Sequence, residues 1–232
     1  MRLTAVVALL SLFLLPTQVK ADLVYGAFDG VSGFSAPSPF APRILDFITL
    51  DQDGYGELDG LRLGFTVTNA SDATPQNMVV YVQFWDNVDY GSDDPLANAV
   101  SLGTEGINFG SRTANGGFGG GISSGLAGNS NDIILPGNTM IGVEFRFRSD
   151  SSTFQPNISG RLANGTPTPG STTTDYYIDS GLNGFDGADF TSKDGKIMRF
   201  EISTIAAVPE PGSAMILGSL GLVGLVYRRK RS

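Results

Sequence analysis

Between residues 22 and 207 the apolar positions recur with period two, and no segment sustains apolar residues at i, i+3, i+4 and i+7 over three turns. Residues 61–68 place Leu61, Leu63, Phe65 and Val67 on one face. Residues 140–148 place Ile141, Val143, Phe145 and Phe147 inward, with Glu144, Arg146 and Arg148 outward. Residues 196–202 place Met198, Phe200 and Ile202 inward, and residues 78–85 are apolar on both faces, which predicts a central strand. Weaker strands are expected at 23–28, 44–50, 133–135 and 176–179. Asp-Gly and Asn-Gly pairs, such as Asp53-Gly54, Asp59-Gly60 and Asp194-Gly195, supply turns between them. About eight antiparallel strands in about 185 residues read as an all-β, two-sheet sandwich or jelly roll.

Two segments break the alternation. Residues 101–137 carry eleven glycines, and the entropy lost on ordering glycine predicts a mobile loop or a loosely held edge. Residues 149–174, rich in Ser, Thr, Pro and Asn, read as a surface connection.

The chain ends differ from this domain. Residues 3–16 are apolar apart from Thr4 and Ser11, and Val19, Lys20 and Ala21 follow. This is the order of a secretory signal peptide, residues 1–21, cut by signal peptidase after Ala21. At the other end, residues 213–227 carry no charge and Arg228, Arg229, Lys230 and Arg231 follow at once. As a helix those 15 residues would span about 22 Å, short of a hydrocarbon core of about 30 Å, and snorkelling arginines would extend the reach. The basic cluster would stay on the cytoplasmic side and stop transfer. Pro209 and Pro211 lack amide donors, so the chain before the apolar run is expected to be extended.

Pro209, Glu210 and Pro211, then the apolar run, then Arg228 to Arg231, resemble the C-terminal sorting signal of PEP-CTERM proteins. The resemblance covers residues 208–232 and leaves 22–207 unmatched. It implies a bacterial surface protein whose triplet is recognised by an exosortase-like membrane protease. It further implies export through the inner membrane, a transient anchor at residues 213–227, and delivery to the cell surface or an extracellular matrix.

Composition narrows the chemistry of residues 22–207. With no cysteine and no histidine, disulfide frameworks, thiol nucleophiles, imidazole bases and thiolate or imidazole zinc sites are excluded. Nine Lys/Arg against 22 Asp/Glu give −13, which disfavours nucleic acid and anionic lipid as partners and suits divalent cations and matrices bridged by them, such as extracellular polysaccharide, the other reading being an acidic surface that keeps an exported domain from associating. No cofactor is expected, with one candidate: Asp51, Asp53, Glu57 and Asp59, spaced by glycines, resemble the start of an EF-hand-type calcium loop. Tyr55 and Arg62 stand where that loop would carry acidic ligands, and the other reading is an acidic hairpin loop. Further acidic groups lie at Asp86, Asp89, Asp93 and Asp94, and at Asp186, Asp189 and Asp194. Tyr55, Tyr81, Phe84, Trp85 and Tyr90 are candidates for a sugar-stacking platform, against the ordinary role of strand aromatics in a core. The resulting expectation is a non-enzymatic structural or interaction protein, with a carbohydrate-binding or carbohydrate-cleaving jelly-roll module as the alternative.

Overall fold

The computed structural model describes residues 21–28, 31–35, 43–68, 76–112, 116–122, 132–149, 157–163, 166–179, 190–193 and 197–206. The expected signal peptide, apart from Ala21, and the C-terminal membrane helix lie outside them. Ala21 itself immediately precedes the first strand. Fourteen strands follow in order: β1 (Asp22–Gly26), β2 (Val31–Ser35), β3 (Arg43–Thr49), β4 (Gly56–Thr68), β5 (Gln76–Asp86), β6 (Val100–Arg112) and β7 (Gly116–Ile122). Then come β8 (Ile134–Leu135), β9 (Met140–Ser149), β10 (Asn157–Ala163), β11 (Ser171–Asp179), β12 (Phe190–Lys193), β13 (Ile197–Met198) and β14 (Phe200–Ala206). Among the described residues there is no helix, and so none long and apolar enough to cross a membrane.

The strands form two antiparallel sheets. One has six strands in the order β12-β11-β3-β9-β5-β6. The other has eight and is organised around β4. On one edge β4 pairs with β14 from Gly56 to Leu63 and then with β10 from Phe65 to Thr68. On its other edge it pairs with β8 and β7. β1 lies outside β14.

Inward residues of both sheets share one core. Ile44 and Ile48 of β3, Val80, Val82 and Phe84 of β5, and Ile141, Val143 and Phe145 of β9 meet Leu61, Leu63 and Phe65 of β4 and Phe200 and Ile202 of β14. Phe145 and Phe200 touch edge-on between the sheets at 5.0 Å. Fully burying each such side chain is worth about 1.5–3 kcal/mol relative to leaving it exposed. On β4 the alternation is broken once. Ser203 pairs with Gly60 and Thr204 with Leu58, so Asp59 is an extra residue. This bulge turns both Leu58 and Leu61 into the core.

Three expectations are corrected. The glycine-rich segment is not a loop throughout: β6 pairs with β5 from Val100 to Arg112, and β7 pairs residue for residue with β4. Ladder hydrogen bonds come from the backbone, so lack of side chains does not forbid a strand. β6 does lie at a sheet edge, as the entropy argument also allowed. Likewise the Ser/Thr-rich segment contains β10 and the first residues of β11. Finally, residues 50–55 do not form a hairpin loop, because β3 and β4 belong to different sheets. They arch from one sheet to the other.

Candidate functional site

The outer face of the six-stranded sheet is buried at its centre, which the sequence did not foretell. Residues 87–99, between β5 and β6, fold back over it. Leu96 joins Leu45, Phe47 and Tyr177 in a second small core, with Trp85, Val88 and Ala99 against it. Asp94 Oδ1 accepts from Leu96 N at 3.3 Å, Asp89 N donates to Pro95 O at 3.0 Å, and Asn87 Nδ2 donates to Asn98 O at 2.9 Å. Asp86 Oδ1 accepts from Asn87 N at 2.8 Å. Two members of the acidic group at 86–94 are thereby spent on building the loop, as short Asx-type contacts are in turns.

Beside this small core lies a charged cluster. Glu144, expected outward, is fully buried. Its Oε1 accepts from Arg43 Nε at 2.5 Å and from Arg146 Nε at 2.6 Å. Its Oε2 accepts from Trp85 Nε1 at 2.9 Å and from Arg146 Nη2 at 3.2 Å. Arg146 Nη2 also donates to Gln83 Oε1 at 2.6 Å. Arg43 and Arg146 are direct partners across β3 and β9, an arrangement of like charges that opposes pairing unless a carboxylate sits between them. Glu144 is that carboxylate, and removing one member of such a buried set costs about 3–5 kcal/mol.

A second buried carboxylate, Asp46, stands on the opposite face of β3, between the sheets. Its Oδ1 accepts from Thr172 Oγ1 at 3.1 Å, and its Oδ2 accepts from Met198 N at 3.0 Å. Asp46 thus links the six-stranded sheet to β13 of the other. Tyr25 of β1, fully buried and stacked on Phe200 at 4.6 Å, is pushed well above the usual phenol value of 10.0, first by burial and then by the charge of Asp46, with the Thr172 hydroxyl acting the other way. Tyr176, in register with Asp46, is raised by burial and by the same charge. The sequence did hold a signal for Asp46: it is the one charge between Ile44 and Ile48 on the inward face of β3. Glu144 had none, since it fills an outward position of β9.

The four carboxylates of the expected calcium loop are distributed over three settings. Asp51 and Asp53 are exposed on the arch, Glu57 is half-buried on β4, and Asp59 is buried in the β4 bulge. Asp53 Oδ1 accepts from Asn138 Nδ2 at 3.0 Å. Gln52, between them, is the residue that fastens the arch: its Nε2 donates to Leu135 O at 3.1 Å and its Oε1 accepts from Thr204 Oγ1 at 2.8 Å. Among the described residues no group of three or more acidic side chains converges on a common point that could hold a metal ion. Asp186, Asp189 and Asp194 lie outside the described residues.

The five candidate aromatics do not form one platform. Phe84 is fully buried between the sheets, and Trp85 is held to Glu144. Tyr90 packs edge-on against Phe47 at 5.4 Å, Tyr55 stands exposed on the arch, and Tyr81 is exposed on the outer face. Alternation along β5 separates Phe84 from Tyr81 and Trp85.

These features define an all-β domain of two antiparallel sheets whose buried charges tie strands together. Residues 207–231 match the family model of the PEP-CTERM protein-sorting motif. That segment contains Pro209, Glu210, Pro211 and Arg228, Arg229, Lys230 and Arg231, and it follows β14 directly. The motif implies export, a C-terminal membrane-associated sorting signal and processing by an exosortase-type system. The chain has no significant match among curated proteins or solved structures.

Proposed function

We propose that this protein is a non-enzymatic, exported bacterial surface or extracellular-matrix protein of structural or interaction type. Its C-terminal segment delivers it and is then removed near the Pro209–Glu210–Pro211 triplet by an exosortase-like protease. The observation that carries the reading is the sorting motif at residues 207–231. The domain supports the structural part. Two of its carboxylates, Glu144 and Asp46, are buried and engaged by neighbouring strands, and a group that must exchange protons or bind substrate needs access to it.

Replacing Pro209, Glu210 and Pro211 together by alanine is expected to leave export intact and to leave the chain uncleaved and membrane-bound in its own host. Maturation of that variant to the parent mass would rule the sorting assignment out. The mass and membrane fraction of the parent and variant chains are the measurements.

A further inference from the structure

We infer that the pole of the domain formed by the 50–55 arch faces the membrane during sorting and touches the lipid through its own exposed apolar side chains. This rests on the reading of residues 207–231 as a membrane-associated segment. The first observation is where β14 ends. Its last residue, Ala206, is in register with Gly56, the first residue of β4, and Gly56 is in register with Leu135 on β4's other edge. The chain therefore leaves the eight-stranded sheet at the pole, running outward. Between Ala206 and the apolar run at Ser213 lie residues 207–212, and seven extended steps reach at most about 25 Å. A tether that short holds the pole at high effective concentration beside the bilayer.

The second observation is what the pole exposes. The arch joins the end of β3 to the start of β4, and residues 136–139 join the end of β8 to the start of β9. Met140 pairs with Thr49, and Val100 with Asp86, so these residues of the six-stranded sheet stand at the same end. Among the described residues, four of the seven large exposed apolar side chains stand at this end, Tyr55 at 68%, Val100 at 58%, Met140 at 39% and Ile134 at 37%, the others being Leu23, Tyr81 and Tyr90. Two hydrogen-bonded anchors of Gln52 and the Asn138–Asp53 contact hold the arch and the neighbouring turn together. A tyrosine with a wet hydroxyl and an apolar ring suits the headgroup boundary.

Asp51 and Asp53 are exposed at the same pole, so the lipid that fits is zwitterionic, and anionic headgroups would repel the pole. The occupant is thus a neutral phospholipid surface.

The absence of cysteine permits the test on the full chain. Single variants Tyr55→Cys, Val100→Cys and Asn108→Cys are labelled with a fluorophore and reconstituted into phosphatidylcholine vesicles containing nitroxide-headgroup lipid. Asn108 is exposed on the same strand as Val100, about 25 Å further along at about 3.3 Å per residue. Quenching at residues 55 and 100 is expected to exceed that at 108 several-fold, and to fall when anionic lipid is added. Equal quenching at all three sites, in chains that float with the vesicles, overturns the inference. Failure of the chain to float overturns the membrane reading of the tail and the inference with it. A Gly/Ser insert of about 15 residues after Ala206, long enough for the domain to reorient, separates contact from tethering. Quenching that persists at 55 and 100 supports contact through the apolar pole. Quenching that drops to the level at 108 shows nearness by tether alone and refutes it.

Discussion

Asp46 and Glu144 show how single charges hold this domain together. Each lies on a strand buried on both faces, and each satisfies its oxygens with donors from other strands. Their placement has a consequence for the alkaline limit of stability. The Tyr25 and Tyr176 phenols are raised above 10.0 by burial and by Asp46, so the folded state keeps both protons at pH values where the unfolded chain has released them. Folded chains then bind more protons than unfolded ones, and stability falls as pH rises above about 10. Urea unfolding at stepped pH is expected to show this decline, and the double variant Tyr25→Phe, Tyr176→Phe is expected to show a shallower one. An unchanged alkaline slope in the variant would contradict the assignment. Arg62 shows another device at this scale. It bonds Glu201 at 3.1 Å and stacks on Phe28 at 3.6 Å, with Arg199 on the same ring at 3.9 Å.

Among the elements, the 87–99 loop passes close over Gly142 of the six-stranded sheet. A Cβ on Gly142 would stand 3.0 Å from Val88 Cγ1, 3.1 Å from Leu45 Cδ1 and 3.4 Å from Trp85 Cβ. Gly142→Ala is therefore expected to displace Val88, Leu45 and Trp85 and loosen the loop at a cost of about 1 kcal/mol, the low end for an overpacked site. Trp85 is the only tryptophan and belongs to the small core beneath the loop, so its emission should shift to the red and the urea midpoint should fall. An unaltered midpoint and emission would show that the loop accommodates the methyl group. The strands themselves were legible where apolar side chains alternated or ran together. The expected 140–148 strand became β9, one residue longer at its end, and 78–85 became β5, with two residues added at its start and one at its end. Burial on β13 and β14 matches the inward placement of Met198, Phe200 and Ile202, although residue 199 divides the expected single strand in two. The missed strands are β2, β6, β7, β10 and β12, of which β6, β7 and β10 lie in the glycine-rich and Ser/Thr-rich segments. Their pairing rests on backbone ladders, which leave no periodic trace in side-chain polarity.

Taken whole, the domain draws one core from both sheets and attaches a second, smaller one to the outer face of the six-stranded sheet. Trp85 reports the smaller core and far-ultraviolet circular dichroism reports the strands of both. A chain spanning residues 22–207 is expected to give a β-dominated spectrum and coincident urea transitions by the two probes, as a single cooperative domain does. Helix above about a fifth, or transitions that separate, would defeat this account. The chain passes between the sheets repeatedly, at residues 50–55 and 136–139 among others. It brings β1, which directly follows the expected cleavage at Ala21, beside β14, which leads into the sorting motif.

Alternating polarity was enough to specify antiparallel strands with one buried face, because the pleat sends successive side chains to opposite sides of a sheet. The order of triplet, uncharged run and cations was enough to specify the sorting motif, because such signals are read as linear segments. Tertiary structure alone decided which sheet each strand joins, since strand pairing over long sequence distances is set by packing and not by local pattern. It decided that Glu144 is buried among Arg43, Arg146 and Trp85 while Arg62 is exposed, although both occupy outward positions. It also separated Asp51 and Asp53 from Asp59: β4 begins at Gly56, so Asp59 lies within a strand while Asp51 and Asp53 stay on the arch. The reason is the backbone: an even spacing of carboxylates in sequence is a spacing in space only while the chain keeps one conformation, and here it passes from an arch into a sheet.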